Sequence, residues 1–235
     1  MIAMQAQEGI TMNDNDKERK VRATRAMLRR QHIAETARKL FVTKGFHGTG
    51  VAQIAADSDI KVGQIYRDFS SKEDIVAEIV QRHIGAKLDE NGLCKASQER
   101  NPAAAREWLQ RFLYNDAPDS NCSQDNCAMF AEINAEASRN ERIAAIVRAT
   151  DAHVRAAIAT ALEVMAPGPA LAERRALLAH IIMSIGHGIW YRRIVAPDVS
   201  PIWLGDYSLK MIDREIEDLA SSARHLQQQE TSQKL

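Results

Sequence analysis

The lysines and arginines of this 235-residue chain are concentrated near its beginning. Residues 17–44 hold ten of them against two acidic residues, an excess of +8, whereas residues 88–235 hold 16 bases against 20 acids. The formal net charge of the whole chain is zero, so the average conceals this separation. Such a positive stretch can bind a polyanion such as a nucleic acid, although a charge run alone is more often a solvated helix face.

The residue types that enzymes use form no recognisable catalytic or metal-binding pattern. The chain has 7 histidines, and none occurs with a second histidine and a carboxylate at metal-ligand spacing. We find no phosphate-binding glycine loop and no nucleophile motif. We therefore expect no cofactor and no enzyme activity. An all-α enzyme that uses a helical pocket is the less favoured alternative.

The 3 cysteines, Cys94, Cys122 and Cys127, do not suggest a disulfide framework. Cys122 and Cys127 flank a polar segment, so a redox-sensing regulator is an alternative hypothesis. A sensor of that kind needs an exposed thiolate of low pKa with a resolving cysteine nearby. Spacing alone does not establish this chemistry, and we favour inert thiols.

The polar residues 1–20 lack a signal-peptide pattern and predict a disordered N-terminal lead. The longest apolar stretch, around residues 181–194, is interrupted by His187, Arg192 and Arg193 and is too short to span a bilayer. We therefore expect a cytoplasmic protein with no membrane partner.

Helical spacing of apolar residues dominates the sequence, and about nine helices with no strand are predicted. The first ends at Gly45, and two short helices at about 50–59 and 61–69 form a helix-turn-helix. Ser71 and Asp74 fit a capping box, which starts a helix that runs into the low 90s. The remaining helices are predicted at 101–117, 123–138, 141–165, 170–195 and 203–224, with a polar loop at 118–124.

The segment GFHGTGVAQIAADSDIKVGQIYRDFSSKEDI, residues 45–75, resembles the DNA-binding head of the TetR family of transcriptional repressors. Thirteen residues match the family pattern at fixed spacing. The resemblance implies an all-α fold with a helix-turn-helix head at 21–70, a ligand-binding and dimerisation body at 71–226 and a tail at 227–235. It also implies a homodimer that binds double-stranded operator DNA, most often as a repressor released when a small-molecule effector binds.

The resemblance places the recognition helix at 61–68, because base readout needs the N-terminal part of a helix in the major groove. Gln64 would contact adenine, Arg67 a guanine or phosphate, and Tyr66 a phosphate unless it is a core aromatic. The full set of expected DNA-binding residues is Thr49, Gly50, Lys61, Val62, Gln64, Tyr66, Arg67 and Lys72.

Three positions depart from the family pattern. Gly50 and Lys61 replace the usual helix-capping Ser or Thr, and Asp59 replaces the glycine of the turn. Asp tolerates the left-handed backbone that this turn requires better than most residues do. Lys61 is a poor cap whose charge opposes the helix dipole, which is understandable if a DNA phosphate lies nearby.

By resemblance, the body would contain an effector pocket and an interface with a second subunit. The expected pocket residues, for which a core position is the alternative, are Trp108, Phe112, Met129, Phe130, Ile133, Arg148, His153, His187, Trp190 and Tyr191. The expected dimer interface consists of Leu178, Ile181, Ile182, Ile185 and Ile189, for which the intramolecular core is the alternative.

Overall fold

The computed structural model describes residues 14–114 and 122–233, and within these ranges it is helical without strands. A single turn of 3₁₀-helix, Pro169–Leu171, precedes α9. The helices are α1 Asp14–Gly48, α2 Val51–Asp57, α3 Val62–Asp68, α4 Lys72–Lys87, α5 Glu90–Gln98, α6 Pro102–Tyr114, α7 Cys122–Ala137, α8 Glu141–Met165, α9 Ala172–Val195 and α10 Pro201–Gln233. The described part of the chain thus has ten α-helices, one more than predicted, and the all-α fold class is confirmed.

Local backbone chemistry sets the ends of the helices in the head, α1–α3. Gly45 (φ 74°, ψ 165°) interrupts α1 with a conformation that is almost exclusive to glycine. Asp59 has φ 53°, so the predicted left-handed turn between α2 and α3 is present. Ser71 accepts a hydrogen bond from the Asp74 amide, and Asp74 accepts one from the Ser71 amide, which confirms the capping box of α4.

The predicted long helix from 71 into the low 90s is wrong, because it is divided into α4 and α5. Leu88 leaves the helical conformation (φ −83°, ψ 100°), and the Asp89 side chain caps α5 by accepting from the Gly92 amide at 2.9 Å. The Trp108 indole N–H donates to the Asp89 carbonyl at 3.0 Å, which ties this junction to α6. Tertiary contact therefore stabilises a break that helical periodicity does not reveal.

The chain ends differ from the predictions as well. Residues 14–20 belong to α1, although residues 1–20 were expected to be disordered, and residues 1–13 lie outside the described part. α10 extends through most of the predicted tail, to Gln233. The predicted loop at 118–124 lies outside the described residues up to 121, and α7 begins at Cys122.

Two apolar cores position the functional surfaces. The head core packs α1–α3 against the first half of α4 and one side of α7 and α8, through residues such as Phe41, Ile54 and Ile75. The body core joins α5, α6, α8, α9 and α10 around residues such as Ile158 and Leu162. No helix within the described ranges is long and apolar enough to cross a membrane.

Candidate nucleic-acid interface and ligand cavity

One face of α3 is open to solvent, while Ile65 anchors the opposite face in the head core. Lys61, Val62, Gly63, Tyr66 and Arg67 are all exposed. Tyr66 is 56% exposed, so the alternative of a core aromatic is wrong. Lys61 is the N-cap residue of α3 and its side chain makes no capping hydrogen bond. This face therefore has the side chains and the accessibility that a major-groove reading helix needs.

An arginine brace fixes the end of α3 to α1. The Arg29 guanidinium donates to both carboxylate oxygens of Asp68, at 2.6 and 2.9 Å. Arg30 donates to the Asp68 carbonyl and, at 2.6 Å, to Glu78 of α4. The hydrogen bond from Arg29 holds the pKa of the Asp68 carboxyl below its usual range. Because the pair is bidentate and half-buried, it fixes the orientation of α3 relative to α1 as well as holding the two helices together.

The brace should contribute stability that depends on pH. Because the pKa of Asp68 is lower in the folded state, its contribution is complete above the unfolded value of about 4 and disappears as the pH falls through the folded value. We expect Asp68→Asn to lower the free energy of unfolding by about 1 kcal/mol at pH 7. The deficit should shrink below about pH 4. Urea unfolding of both proteins at equal concentration measures it, and a deficit that grew on acidification would contradict the assignment.

Gln64 is partly committed to the same brace, because its side-chain amide donates to Asp68 at 3.1 Å. The amide is half-buried, and its carbonyl oxygen is the group left for a base edge. The expected bidentate contact of Gln64 with adenine would therefore require it to leave Asp68.

The expected DNA contacts of Thr49 and Lys72 need correction. Thr49 is fully buried, and its hydroxyl donates to the Gly45 carbonyl at 2.9 Å, so its side chain stabilises the end of α1. The Lys72 ammonium donates to the carbonyls of Phe46 and Thr49, at 2.6 and 3.0 Å, and lies 4.0 Å from the centre of the Phe46 ring. Burial lowers the pKa of Lys72. Lys72 therefore caps the α1–α2 junction, whereas Gly50 is exposed as the N-cap of α2.

The body contains a mostly apolar cavity of about 130 Å³ between α4, α6, α7, α8 and α9. Its aromatic wall includes Phe130 and Trp190, whose ring centres are 4.4 Å apart in an edge-to-face arrangement, with His83 edge-on to both. An adjoining space of about 80 Å³ shares Phe130, Asn134, His187 and Trp190. The main cavity is lined by Val80, Ile84, Phe112, Leu113, Phe130, Ile133, Asn134, Val147, Thr150, Asp151, Val154, Met183, Gly186, His187 and Trp190.

Five of the expected pocket residues line this cavity, namely Phe112, Phe130, Ile133, His187 and Trp190. Trp108 and Met129 are buried core residues instead, and Tyr191 is exposed beside the smaller space. Arg148 pairs with Glu141 and His153 with Glu90 at 2.8 Å, both on the surface. The sequence interpretation missed the polar lining residues Asn134, Thr150 and Asp151, because isolated polar residues within helices resemble solvent-facing positions.

Opposite faces of α7 contact the cavity and the head. Phe130, Ile133 and Asn134 line the cavity, while Glu132 accepts a hydrogen bond from the Phe46 amide of the α1–α2 junction at 2.6 Å. Four residues further, Glu136 is buried and pairs with His47 at 3.0 Å. We call the contacts of Glu132 and Glu136 with residues 45–47 the α7 link. Through it, one helix contacts both the cavity and the head.

An exposed stripe runs along α9. Its residues are spaced alternately four and three apart, which keeps them on one helix face. They are Leu177, Ile181, Ser184, Gly188, Tyr191 and Val195, and we call them the α9 seam. The exposed Trp203, Tyr207 and Met211 form a second apolar face on α10, the helix packed beside α9.

Four of the five residues predicted for the dimer interface are not exposed in the single chain. Leu178 and Ile182 are buried in the body core, Ile185 packs against it, and Ile189 is half-buried. Ile181 alone of the five lies on the exposed seam.

The cysteines and the described metal-ligand residues offer no second site. Cys127 is buried, Cys94 is exposed, and the side chain of Cys122 lies outside the described residues. A buried Cys127 does not meet the exposure that the redox-sensor alternative requires. Within the described residues, no cluster of His, Cys, Asp or Glu could hold a metal ion.

The fold, the open recognition helix and the helical body together define a helix-turn-helix transcription regulator. Residues 33–79 match the family described as bacterial regulatory proteins, tetR family. Residues 105–228, more than half of the chain, match the family described as BetI-type transcriptional repressor, C-terminal. The chain therefore belongs to the TetR family of bacterial transcriptional regulators, as its sequence resemblance predicted. Regulators of this family bind operator DNA and act as dimers with small-molecule effectors.

Solved structures support the fold. A transcriptional regulator from Pseudomonas aeruginosa PAO1 has a TM-score of 0.63 at 17% identity, covering 85% of this chain and 94% of that chain. A TetR-family regulator from Rhodococcus sp. gives 0.61 at 18% identity, covering 80% and 98%. A regulator from Saccharomonospora viridis in complex with choline gives 0.57 at 19% identity, covering 80% and 95%. A comparison with curated protein sequences gives no significant match.

Proposed function

We propose that the protein is a ligand-responsive repressor that binds a pseudo-palindromic operator as a homodimer and leaves it when a small molecule occupies the body cavity. The α7 link is the observation on which this proposal rests. Because α7 forms a cavity wall with one face and bonds to the α1–α2 junction with the other, ligand and DNA can favour different positions of the same helix. Such a difference in affinity between two states is what coupling between sites requires.

In the proposed dimer, the α9 seam and the exposed face of α10 pack against their symmetry copies. The four-and-three spacing suits helices that cross at about 20°, and Ser184 and Gly188 in the middle allow close approach. A two-fold axis would present two copies of α3 to half-sites about 34–36 Å apart.

The cavity favours a small effector with an apolar body and a positive charge. Its volume of about 130 Å³ is close to that of an engineered cavity of ~150 Å³ that binds benzene. Its lining contains the aromatic rings of Phe112, Phe130 and Trp190, and its one carboxylate, Asp151, is already paired with Arg155 at 2.9 Å, so the rings carry the argument for a cation. Aromatic rings attract quaternary ammonium groups. Since a structural neighbour was solved with choline, choline is the first effector to test.

The experiment has two stages. Duplexes selected from a random pool by the purified protein define the operator, and fluorescence anisotropy then measures its affinity with and without choline. We expect a two-fold symmetric consensus and weaker binding when choline is present. Trp190→Ala should abolish the choline response, while Glu107→Ala, an exposed change on α6 outside the cavity lining, should preserve it. Selection of no consensus would contradict the proposal, and an unaltered affinity across a panel of small cations would contradict the effector class.

Lys61 tests whether the exposed face of α3 lies against DNA. We expect Lys61→Ser to weaken operator binding and to reduce the slope of log K against log salt by about one per head. The same change should stabilise α3 by up to about 1 kcal/mol, because Ser is the better cap. A variant that is more stable to unfolding but binds the operator more weakly has lost a phosphate contact and has not been damaged structurally. An unchanged salt slope would exclude the contact.

A further inference from the structure

The N-terminal part of α1, residues 14–28, extends beyond the packed head, and we call it the arm. Its described side chains, from Glu18 to Leu28, are exposed apart from the half-buried Ala26. The first fully buried side chain of α1 is Ile33, which is also where the match to the tetR family begins. The helix therefore continues for several turns that the head core does not require.

The basic residues of the arm continue the helix face that contacts the recognition unit. Arg22, Arg25, Arg29 and His32 are spaced three, four and three apart and so share one face of α1. Arg29 binds Asp68, the last residue of α3, and the His32 ring lies 3.0 Å from the Ser58 carbonyl at the turn between α2 and α3. This face consequently passes the end of α3 and leads away from it.

Two arginines of the arm, Arg22 and Arg25, are available to a partner. Residues 17–30 hold seven bases and one acid, Glu18. Arg29 and Arg30 are used by the brace, but Arg22 has only an exposed 3.5 Å contact with Glu18. Arg25 forms no ion pair with any described side chain. An exposed pair of that length contributes little, so Arg22 can exchange it for a phosphate, and Arg25 has no such pair to give up.

We propose that the arm is a second DNA-contacting element, in which Arg22 and Arg25 bind phosphates that flank the half-site read by α3. The proposal rests on the proposed function, because it requires α3 on the operator. Seven residues of helix separate Arg22 from Arg29, about 10 Å, which corresponds to about three base-pair steps. Phosphate contacts at that distance add affinity and fix orientation without reading sequence.

The test compares two duplexes and three proteins. One duplex is the consensus core obtained by selection with the full-length protein, and the other adds six base pairs to each end. The variant Arg22→Gln/Arg25→Gln removes two charges per chain, and Lys95→Gln/Arg100→Gln removes two exposed charges from the body as the matched control. Affinities are measured between 50 and 300 mM salt.

We expect the unmodified protein to bind the extended duplex more tightly and with a steeper salt dependence than the core. For the arm variant on the extended duplex, the slope of log K against log salt should be smaller by about three to four. This corresponds to about 0.9 for each of the four phosphates contacted in a dimer. It should bind the core duplex normally, and Arg22→Lys/Arg25→Lys should restore most of the slope. The body control should match the unmodified protein on both duplexes.

Other outcomes would contradict the proposal that the arm binds DNA without affecting the proposed function. One is an equal salt-dependence slope for the arm variant and the unmodified protein on the extended duplex, and the other is an equal loss of affinity on the core and extended duplexes. A flank effect that is lost in Val21→Ser/Leu28→Ser and kept in the arginine variant would point to a protein contact through these exposed apolar residues and would also overturn the proposal. Failure of the full-length protein to select any duplex would overturn both proposals together.

Discussion

Ile181→Glu is expected to convert the proposed dimer into a folded monomer and to weaken operator binding by 10²–10⁴-fold, the gain that linked half-sites typically provide. Ile181 lies near the centre of the α9 seam and is 46% exposed in the single chain, so the monomer can hydrate the new carboxylate. In a two-fold dimer, two such carboxylates would meet between apolar faces, where burial of an unpaired charge costs several kcal/mol.

Light scattering should report the mass of one chain, and circular dichroism should report an unchanged helix content. Ala152→Glu is the matched control, because it adds the same charge to an exposed position of α8. A variant that stays dimeric would place the interface elsewhere on the molecule. A monomer that retained full operator affinity would contradict the need for two heads.

Glu132→Ala is expected to separate effector binding from DNA release. The side chain accepts from the Phe46 amide at 2.6 Å and lies on the face of α7 opposite Phe130 and Asn134, so its removal leaves the cavity wall in place. We expect normal choline affinity by calorimetry, together with a reduction in the effect of choline on operator affinity. Coupling between sites is typically 5–150-fold, and most of that factor should disappear.

The loss of this acceptor also leaves a backbone amide without its partner, which should lower the free energy of unfolding by about 1–3 kcal/mol. Glu107→Ala, an exposed change on α6, controls for the removal of a carboxylate. Complete release by choline in Glu132→Ala would show that coupling does not require the Glu132 contact of the α7 link. Loss of choline binding itself would show instead that Glu132 supports the cavity.

Features that depend on a few neighbouring residues could be predicted from the sequence. The Ser71–Asp74 capping box, the turn at Asp59 and the Asn101 cap before Pro102 each depend on side chains within three residues of the backbone they satisfy. Asn101, for example, accepts from the Ala104 amide at 3.1 Å.

Features that depend on packing between distant segments could not be predicted from the sequence. Thr49 and Lys72 have the residue types of DNA contacts, but the packing of α4 against α1 turns both toward the carbonyls at the end of α1. In α9, apolar residues occur on nearly every side, so periodicity could not separate Leu178 in the core from Leu177 on the seam. The spacing of Trp203, Tyr207 and Met211 on α10 was a signal in the sequence that the interpretation missed.

The brace between α1 and α3 has a mechanical consequence. Arg29 and Arg30 join α3, α1 and α4 by bonds to Asp68 and Glu78, and these bonds oppose any rotation of the recognition helix relative to the helices behind it. In the proposed dimer, each head would then move as one unit, and α3 would not adjust its orientation separately. Over a separation of about 34 Å, a tilt of only about 6° moves a head by about one base-pair rise, ~3.4 Å, which is enough to remove it from register with its half-site.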